Sequence, residues 1–288
     1  MTTDMSDDRK QKRIFLPKDD LDQREVALCI LLNVTENGRK ANEALSEALR
    51  DSRLPGRDRG LVTAIVEGTL DYLIRIDYIL SRYSRKPLRF MAPEARGLLR
   101  ISAYQILFLD RIPDSAACNE AVEIIKRRGL KGLSGFINAV LRNMIRDKES
   151  GSDKITKLPE DHIRYSVPKW LYKKICSDYG RDRAHGIFEA WLSHRDVTVR
   201  FNTSLMEEEK IAELLREEGA EPERIDMEAL LRSHGVTIPK EQIPVVYKLG
   251  NVNGITSLSA FSRGLIGVQD PASTLPAAMA GIKGGEYI

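Results

Sequence analysis

The sequence predicts a mainly α-helical chain, a helical bundle followed by a small α+β domain. Apolar residues recur three and four apart from about residue 21 to 146. A polar stretch, Glu149 to Lys157, is poor in apolar side chains and marks a domain boundary. Beyond it the period becomes mixed, with strand-like alternation between helical segments.

Residues 1–20 read as a flexible basic arm carrying Arg9, Lys10, Lys12 and Arg13. Residues 21–148 read as six or seven packed helices. One helical face carries Leu61, Ile65, Gly68 and Thr69, another Leu99, Ala103, Ile106 and Leu107, a third Ile137, Val140, Leu141 and Met144. Breakers at Leu54-Pro55-Gly56, Lys86-Pro87, Ile112-Pro113 and Gly129 to Gly135 separate them. The α+β domain is expected over 160–255. There Ser166 caps a helix opened by Pro168 and closed at Gly180, and a second helix spans about Arg183 to His194. Val197–Phe201 alternates as a strand, and Ser204 to Glu207 has capping-box spacing before a helix ending near Gly219. Further strands are expected at Val236–Ile238 and Val245–Leu249. From 256 to 288 the stretch Gly264–Ser273 reads as a strand-like piece leading into a helix that closes near Gly281, and Gly284-Gly285-Glu286-Tyr287-Ile288 reads as the first residues of a new strand, where the sequence is expected to be cut short.

Charge is distributed unevenly. Up to Glu149 there are 27 Lys and Arg against 22 Asp and Glu; the remainder carries 18 against 20. A basic first half suits a polyanion, because cations release counterions from a phosphate backbone. Two segments concentrate the effect. Arg57 and Arg59 open one helix, and Lys126, Arg127, Arg128 and Lys131 lie beside glycines between two others. These six are the candidate RNA-binding residues, through phosphate more than base contacts. A glycine-capped helix end whose cations complement the macrodipole explains the second segment equally well. Replacing Arg127 and Arg128 by alanine is expected to weaken RNA binding and leave the fold intact.

Cys29, Cys118 and Cys176 lie far apart with no zinc-ligand spacing, and the four histidines are scattered, so no metal is expected. No window approaches the ~18 apolar residues of a membrane span, and the polar N-terminus has no signal-peptide core. A cytoplasmic monomer without membrane contact is expected.

Four segments carry a resemblance: Asp58 to Leu70, Arg100 to Gln105, Asn119 to Glu123 and Gly135 to Asn143. They resemble the NusB-type helical RNA-binding domain, which occurs alone in an antitermination factor and fused to the front of the RsmB/Sun family of 16S rRNA cytosine-C5 methyltransferases. Pro168 to Leu171, Val199 to Thr203 and Val268 to Ser273 look like that enzyme family's linker domain and the opening segment of its Rossmann-like catalytic domain. The resemblance implies an RNA-binding portion of an enzyme acting on 16S ribosomal RNA. In such enzymes a cysteine thiolate attacks C6 of cytosine, C5 takes the methyl group of S-adenosylmethionine, and a second cysteine helps release the product. The donor loop, approximately Cys-Ala-Ala-Pro-Gly-Gly-Lys, and the catalytic cysteines are not in the 288 residues. S-adenosylmethionine is thus expected of the full-length family and not of this chain, and no catalytic or cofactor-binding residue is assigned. The alternative is a non-enzymatic RNA-binding protein similar to the free antitermination factor but carrying an extra domain; a free factor of that type would end near Arg146.

Overall fold

A computed structural model of the chain describes residues 22–280, apart from 53, 111, 194–196, 234 and 253–254, and the side chains of 51 and 241. The expected basic arm and the final Gly284–Ile288 segment lie outside the described residues. The chain divides into two units, Met1–Ser193 and His194–Ile288.

Helices α1 (Gln23–Thr35), α2 (Ala41–Asp51), α3 (Gly56–Asp71), α4 (Leu73–Ser81), α5 (Pro93–Phe108), α6 (Asp114–Arg127) and α7 (Ser134–Glu149) dominate the first unit. Asp22 starts α1, its Oδ1 accepting from the amides of Arg24 at 2.8 Å and Glu25 at 2.9 Å, donors that a helix start otherwise leaves orphaned. Val26 to Leu32 are buried without interruption, so α1 is apolar all round and forms the centre of the bundle. Helix α5 packs on it closely: a Cβ at Gly97 would stand 2.7 Å from Leu28 Cδ1.

The polar stretch 149–157 does not separate the units. It forms the short helix α8 (Asp153–Thr156), and Ile155 and Leu158 pack against the bundle core. Arg82 holds it by donating to the carbonyls of Asp153 and Lys157. Helices α9 (Asp161–Arg164), α10 (Lys169–Tyr179) and α11 (Arg181–Leu192) also belong to the first unit, around Tyr165, Val167, Ala184 and Phe188. By contact the first unit therefore runs on to Ser193, because two apolar anchors tie the polar stretch to the bundle.

Helix α10 ends at Gly180 as the sequence predicts. Ser166, however, does not cap it. Its hydroxyl accepts from the amides of Ile74 at 3.1 Å and, more weakly, Arg75 at 3.5 Å. These are orphan donors of α4, so the serine caps a helix about 90 residues away. It does so with φ at 55°, a left-handed conformation unusual outside glycine.

The second unit is a four-stranded antiparallel sheet in the order β2-β3-β1-β4, from β1 (Val197–Phe201), β2 (Glu221–Arg224), β3 (Val246–Gly250) and β4 (Ile266–Val268). Val199 pairs with Tyr247 on one side and Val268 on the other. The ring of Phe201 stacks on Tyr247 at 4.0 Å. Ile211, Ala212 and Leu215 of α12 (Glu208–Glu217) supply core residues for the sheet. Helices α13 (Met227–Ser233), α14 (Ser259–Ser262) and α15 (Pro271–Met279) complete the unit.

Three expectations change here. No strand forms at 236–238; the place beside β3 is taken by Glu-Pro-Glu-Arg of β2, which ladder pairing and not propensity makes a strand. Its proline is tolerable because β2 is at the sheet edge. Ser204 does not close a capping box, since α12 starts at Glu208 with Glu207 at its cap and no side-chain bond. Finally, β4 does not open a further domain at 256: it pairs with β1 and completes this sheet.

Candidate nucleic-acid interface

The segment 126–131 begins where α6 ends. Gly129 adopts φ 77°, the amide of Gly129 bonds the carbonyl of Lys126 and that of Leu130 bonds Ile125. This is the glycine-capped helix end that the sequence allows. The two arginines before it both bond to α1. Arg127 donates through Nη2 to Asp22 at 2.8 Å and through Nε to Glu25 Oε2 at 3.0 Å. Arg128 donates through Nε to Glu25 Oε1 at 3.2 Å and through Nη2 to Cys29 Sγ at 2.9 Å. Glu25 is only 4% exposed, and a buried carboxylate needs such partners. The pair therefore clamps the end of α6 onto the first two turns of α1. Arg127 stays half exposed while Arg128 is largely enclosed, and both are bonded to Glu25. Lys126 remains at the surface, paired at 2.7 Å with Glu123 one turn earlier. Lys131 is exposed and makes no ion pair among the described residues.

Arg59 also has structural work. Its Nε and Nη2 donate to the carbonyls of Leu54 at 3.0 Å and Ser52 at 3.3 Å, closing the turn between α2 and α3. Arg57 is exposed and has no ion pair among the described residues. The two basic segments stand apart. Near the C-terminal end of α3, Gly68 packs on Tyr104 of α5, and Arg24 in the first turn of α1 bonds the adjacent Gln105 at 2.8 Å. Arg57 and Arg59 begin α3, about 15 Å along its axis from Gly68.

Sequence reading left the segment Arg100 to Gln105 without a role, and the structure supplies one. Arg100 forms a two-pronged pair with Asp77, 2.8 Å from Nε and 2.7 Å from Nη2, joining α5 to α4. Tyr104 occupies the space a side chain at position 68 would need: a Cβ there would lie 2.0 Å from its Cζ. Gln105 joins Arg24 to the carbonyl of Ile101. The one signal available beforehand was Gly68 itself, a glycine on an otherwise apolar helix face, which marks close approach.

Burial pushes the thiols of Cys29 and Cys118 above their ordinary range, against the smaller opposing effects of Arg128 and Arg142. Both are inside the bundle and poorly suited to be nucleophiles. Among the described residues no group of three or more His, Cys, Asp and Glu could hold a metal ion. No described helix is long and apolar enough to cross a membrane.

This architecture defines a NusB-type helical module joined to a ferredoxin-like α+β unit. The NusB family model matches residues 21–146, and that of the Methyltr_RsmF/B-like, ferredoxin-like domain matches 167–238. The chain belongs to the RsmB/Sun family of ribosomal RNA small subunit methyltransferase B. It is 35% identical to the probable ribosomal RNA small subunit methyltransferase B of Bacillus subtilis (strain 168), over 71% of this chain and 46% of the relative. Transcription antitermination protein NusB of Syntrophomonas wolfei subsp. wolfei is 30% identical over 43% of this chain and 94% of its own length. The crystal structure of PH0851 shares the fold at 19% identity and a TM-score of 0.62, covering 94% of this chain and 58% of that one. The chain spans about half the length of the curated methyltransferase relatives it matches.

Proposed function

We propose that this chain is the RNA-binding portion of an S-adenosylmethionine-dependent 16S rRNA cytosine-C5 methyltransferase, acting in the cytoplasm as a monomer. The observation that carries the reading is the tandem order: a NusB domain followed, in one chain, by the RsmF/B-like ferredoxin-like domain. A NusB-only antitermination protein accounts for residues 21–146 and leaves the second domain unexplained. S-adenosylmethionine would supply the methyl group in the whole enzyme. These 288 residues hold no glycine-rich donor loop of the family's kind, and isothermal titration of the chain with the donor is expected to give no saturable heat. Saturation at micromolar donor, a typical cofactor scale, would contradict that.

The RNA surface is assigned to the sequence candidates that are exposed and bond neither a backbone carbonyl nor the buried Glu25, namely Arg57, Lys126 and Lys131. Arg59, Arg127 and Arg128 support it from behind by fixing the turn and the helix end on which those cations stand. Phosphate contacts of this kind are sequence-tolerant and salt-sensitive. The test is anisotropy with a labelled 16S rRNA fragment, comparing the chain with its Arg57→Ala/Lys126→Ala/Lys131→Ala variant. Three lost contacts should flatten the log–log salt dependence by about 2, at ~0.7 per contact on single strands. An unchanged slope and affinity would remove these residues from the interface.

A further inference from the structure

Between Asp77 and Glu94 the chain carries Arg82, Arg85, Lys86 and Arg89 and no carboxylate. The turn that presents them is held at both ends. Lys86 donates its amide to Ser84 Oγ at 3.2 Å, and the hydroxyl of Ser84 donates to the Lys86 carbonyl at 2.8 Å. Pro87 then starts a single 3-10 turn, Leu88–Phe90. The amide of Met91 and the Nη1 of Arg96 both donate to the carbonyl of Leu88, each at 3.0 Å, while Arg96 Nη2 pairs with Glu36 at 2.7 Å. Leu88 and Met91 point into the bundle core. Phe90, between these anchors, is 58% exposed, and the guanidinium of Arg89 lies 4.7 Å from its ring centroid. Arg85, Lys86 and Arg89 are exposed and make no ion pair among the described residues. Arg82 instead donates to the carbonyl of Lys157, which brings a further exposed cation to the rim.

An aromatic ring left in water forfeits the burial that its neighbours obtain. A lone exposed phenylalanine would be ordinary. Here it stands among cations that make no ion pair among the described residues. Aromatic faces and guanidinium planes are the surfaces on which unpaired bases stack, and adjacent cations take the flanking phosphates. We propose that the Arg85–Phe90 turn is a contact site for single-stranded RNA, with Phe90 stacking on an unpaired base and Arg85, Lys86 and Arg89 holding the phosphates beside it. The site rests on the RNA-binding reading above and extends it to a surface outside the two basic segments already considered.

The experiment uses the 288-residue chain, a fluorescein-labelled mixed-sequence RNA single strand of about 12 nucleotides and the corresponding duplex, in anisotropy titrations from about 50 to 200 mM KCl. Phe90→Ala should lower single-strand affinity about 5- to 160-fold, the range for losing one stacked base. It should leave the salt slope and duplex affinity unchanged. Arg85→Ala/Lys86→Ala should instead flatten the single-strand slope by about 1.4, two contacts at ~0.7 each. Phe90→Trp should keep the affinity and add a fluorescence quench on RNA addition beyond that of Trp170 and Trp191 in the parent chain. If Phe90→Ala binds the single strand like the parent, while the Arg57/Lys126/Lys131 variant is impaired, the site is overturned and the face is left for a protein partner. If the parent chain binds neither RNA, the reading of the preceding subsection fails, and the site with it.

Discussion

Replacing Arg127 and Arg128 by alanine should unfold the bundle more readily, and the size of the effect follows from one buried carboxylate. Glu25 is almost wholly enclosed, and both its oxygens are taken by these two guanidiniums. The arginines differ in exposure: the Arg127 side chain is 48% accessible, that of Arg128 20%. An ion pair as exposed as that of Arg127 is screened, so Arg127→Ala should cost about 1 kcal/mol or less. Arg128→Ala removes the more enclosed guanidinium and its bond to Cys29 Sγ, which should cost about 2 kcal/mol. The double variant leaves Glu25 charged, buried and unpaired, the situation that costs about 3–5 kcal/mol. Because the two arginines share a partner, the double loss should reach or exceed the sum of the singles. For a unit of this size that is a fall in Tm of roughly 6–20 °C. The assay is urea unfolding followed by circular dichroism, with stability taken from the midpoint at constant m. Adding Glu25→Gln to the double variant should recover stability, since the substitution removes the stranded charge. A double variant within about 1 kcal/mol of the parent, or no recovery with Glu25→Gln, would refute the clamp. RNA affinities of any Arg127 or Arg128 variant have to be measured well below its unfolding transition, or loss of fold will be read as loss of contact.

Other outcomes follow from single contacts. Gly68→Ala drives a Cβ into Tyr104 and should destabilise the bundle by about 1–3 kcal/mol, the range for overpacking; restoration by Tyr104→Phe would refute a clash with the ring itself, because the ring carbons remain in the way. Ser166→Ala should cost about 1 kcal/mol through the lost cap on α4. Ser166→Gly should cost less, because glycine accepts the positive φ; equal losses in urea titrations would contradict the role of the left-handed backbone. In the native chain at pH 8, a disulfide reagent should modify Cys176 first. Cys29 and Cys118, buried and with thiols pushed up by that burial, should react only on unfolding. Two or more fast thiols would contradict the packing around them.

What the sequence disclosed depended on how far apart the interacting residues lie. The helical bundle was legible because most of its helices bury stripes whose spacing is local, and α10 was legible to its last residue because Gly180 ends it. The strand β1 announced itself by alternation. By contrast, β2 is Glu-Pro-Glu-Arg, and nothing in four polar residues signals a strand until β3 lies beside it. The partners of Arg127 and Arg128 are about 100 positions away, so a cation run that serves to bind a buried glutamate looks the same in one dimension as one that faces solvent. Ser166 stood where a cap for the following helix would stand, and its hydroxyl serves another helix altogether.

The same distinction bears on where RNA can be held. The segments through which the chain resembles its family are largely occupied with packing. Gly68 admits Tyr104, Arg100 holds Asp77, and Gln105 holds Arg24. A guanidinium already committed to a buried carboxylate cannot turn to a phosphate without leaving that charge unpaired, at a cost that exceeds what one exposed phosphate contact returns. The RNA surface must therefore be sought among groups that the fold does not use. In the helical unit those include Arg57, Lys131 and, one surface pair aside, Lys126, together with the Arg85–Phe90 turn, whose cations make no ion pair among the described residues and whose aromatic ring contributes little to the core. Density of positive charge along the chain places Arg127 and Arg128 first; freedom from structural duty places them last, and it is the second criterion that the energetics of burial supports.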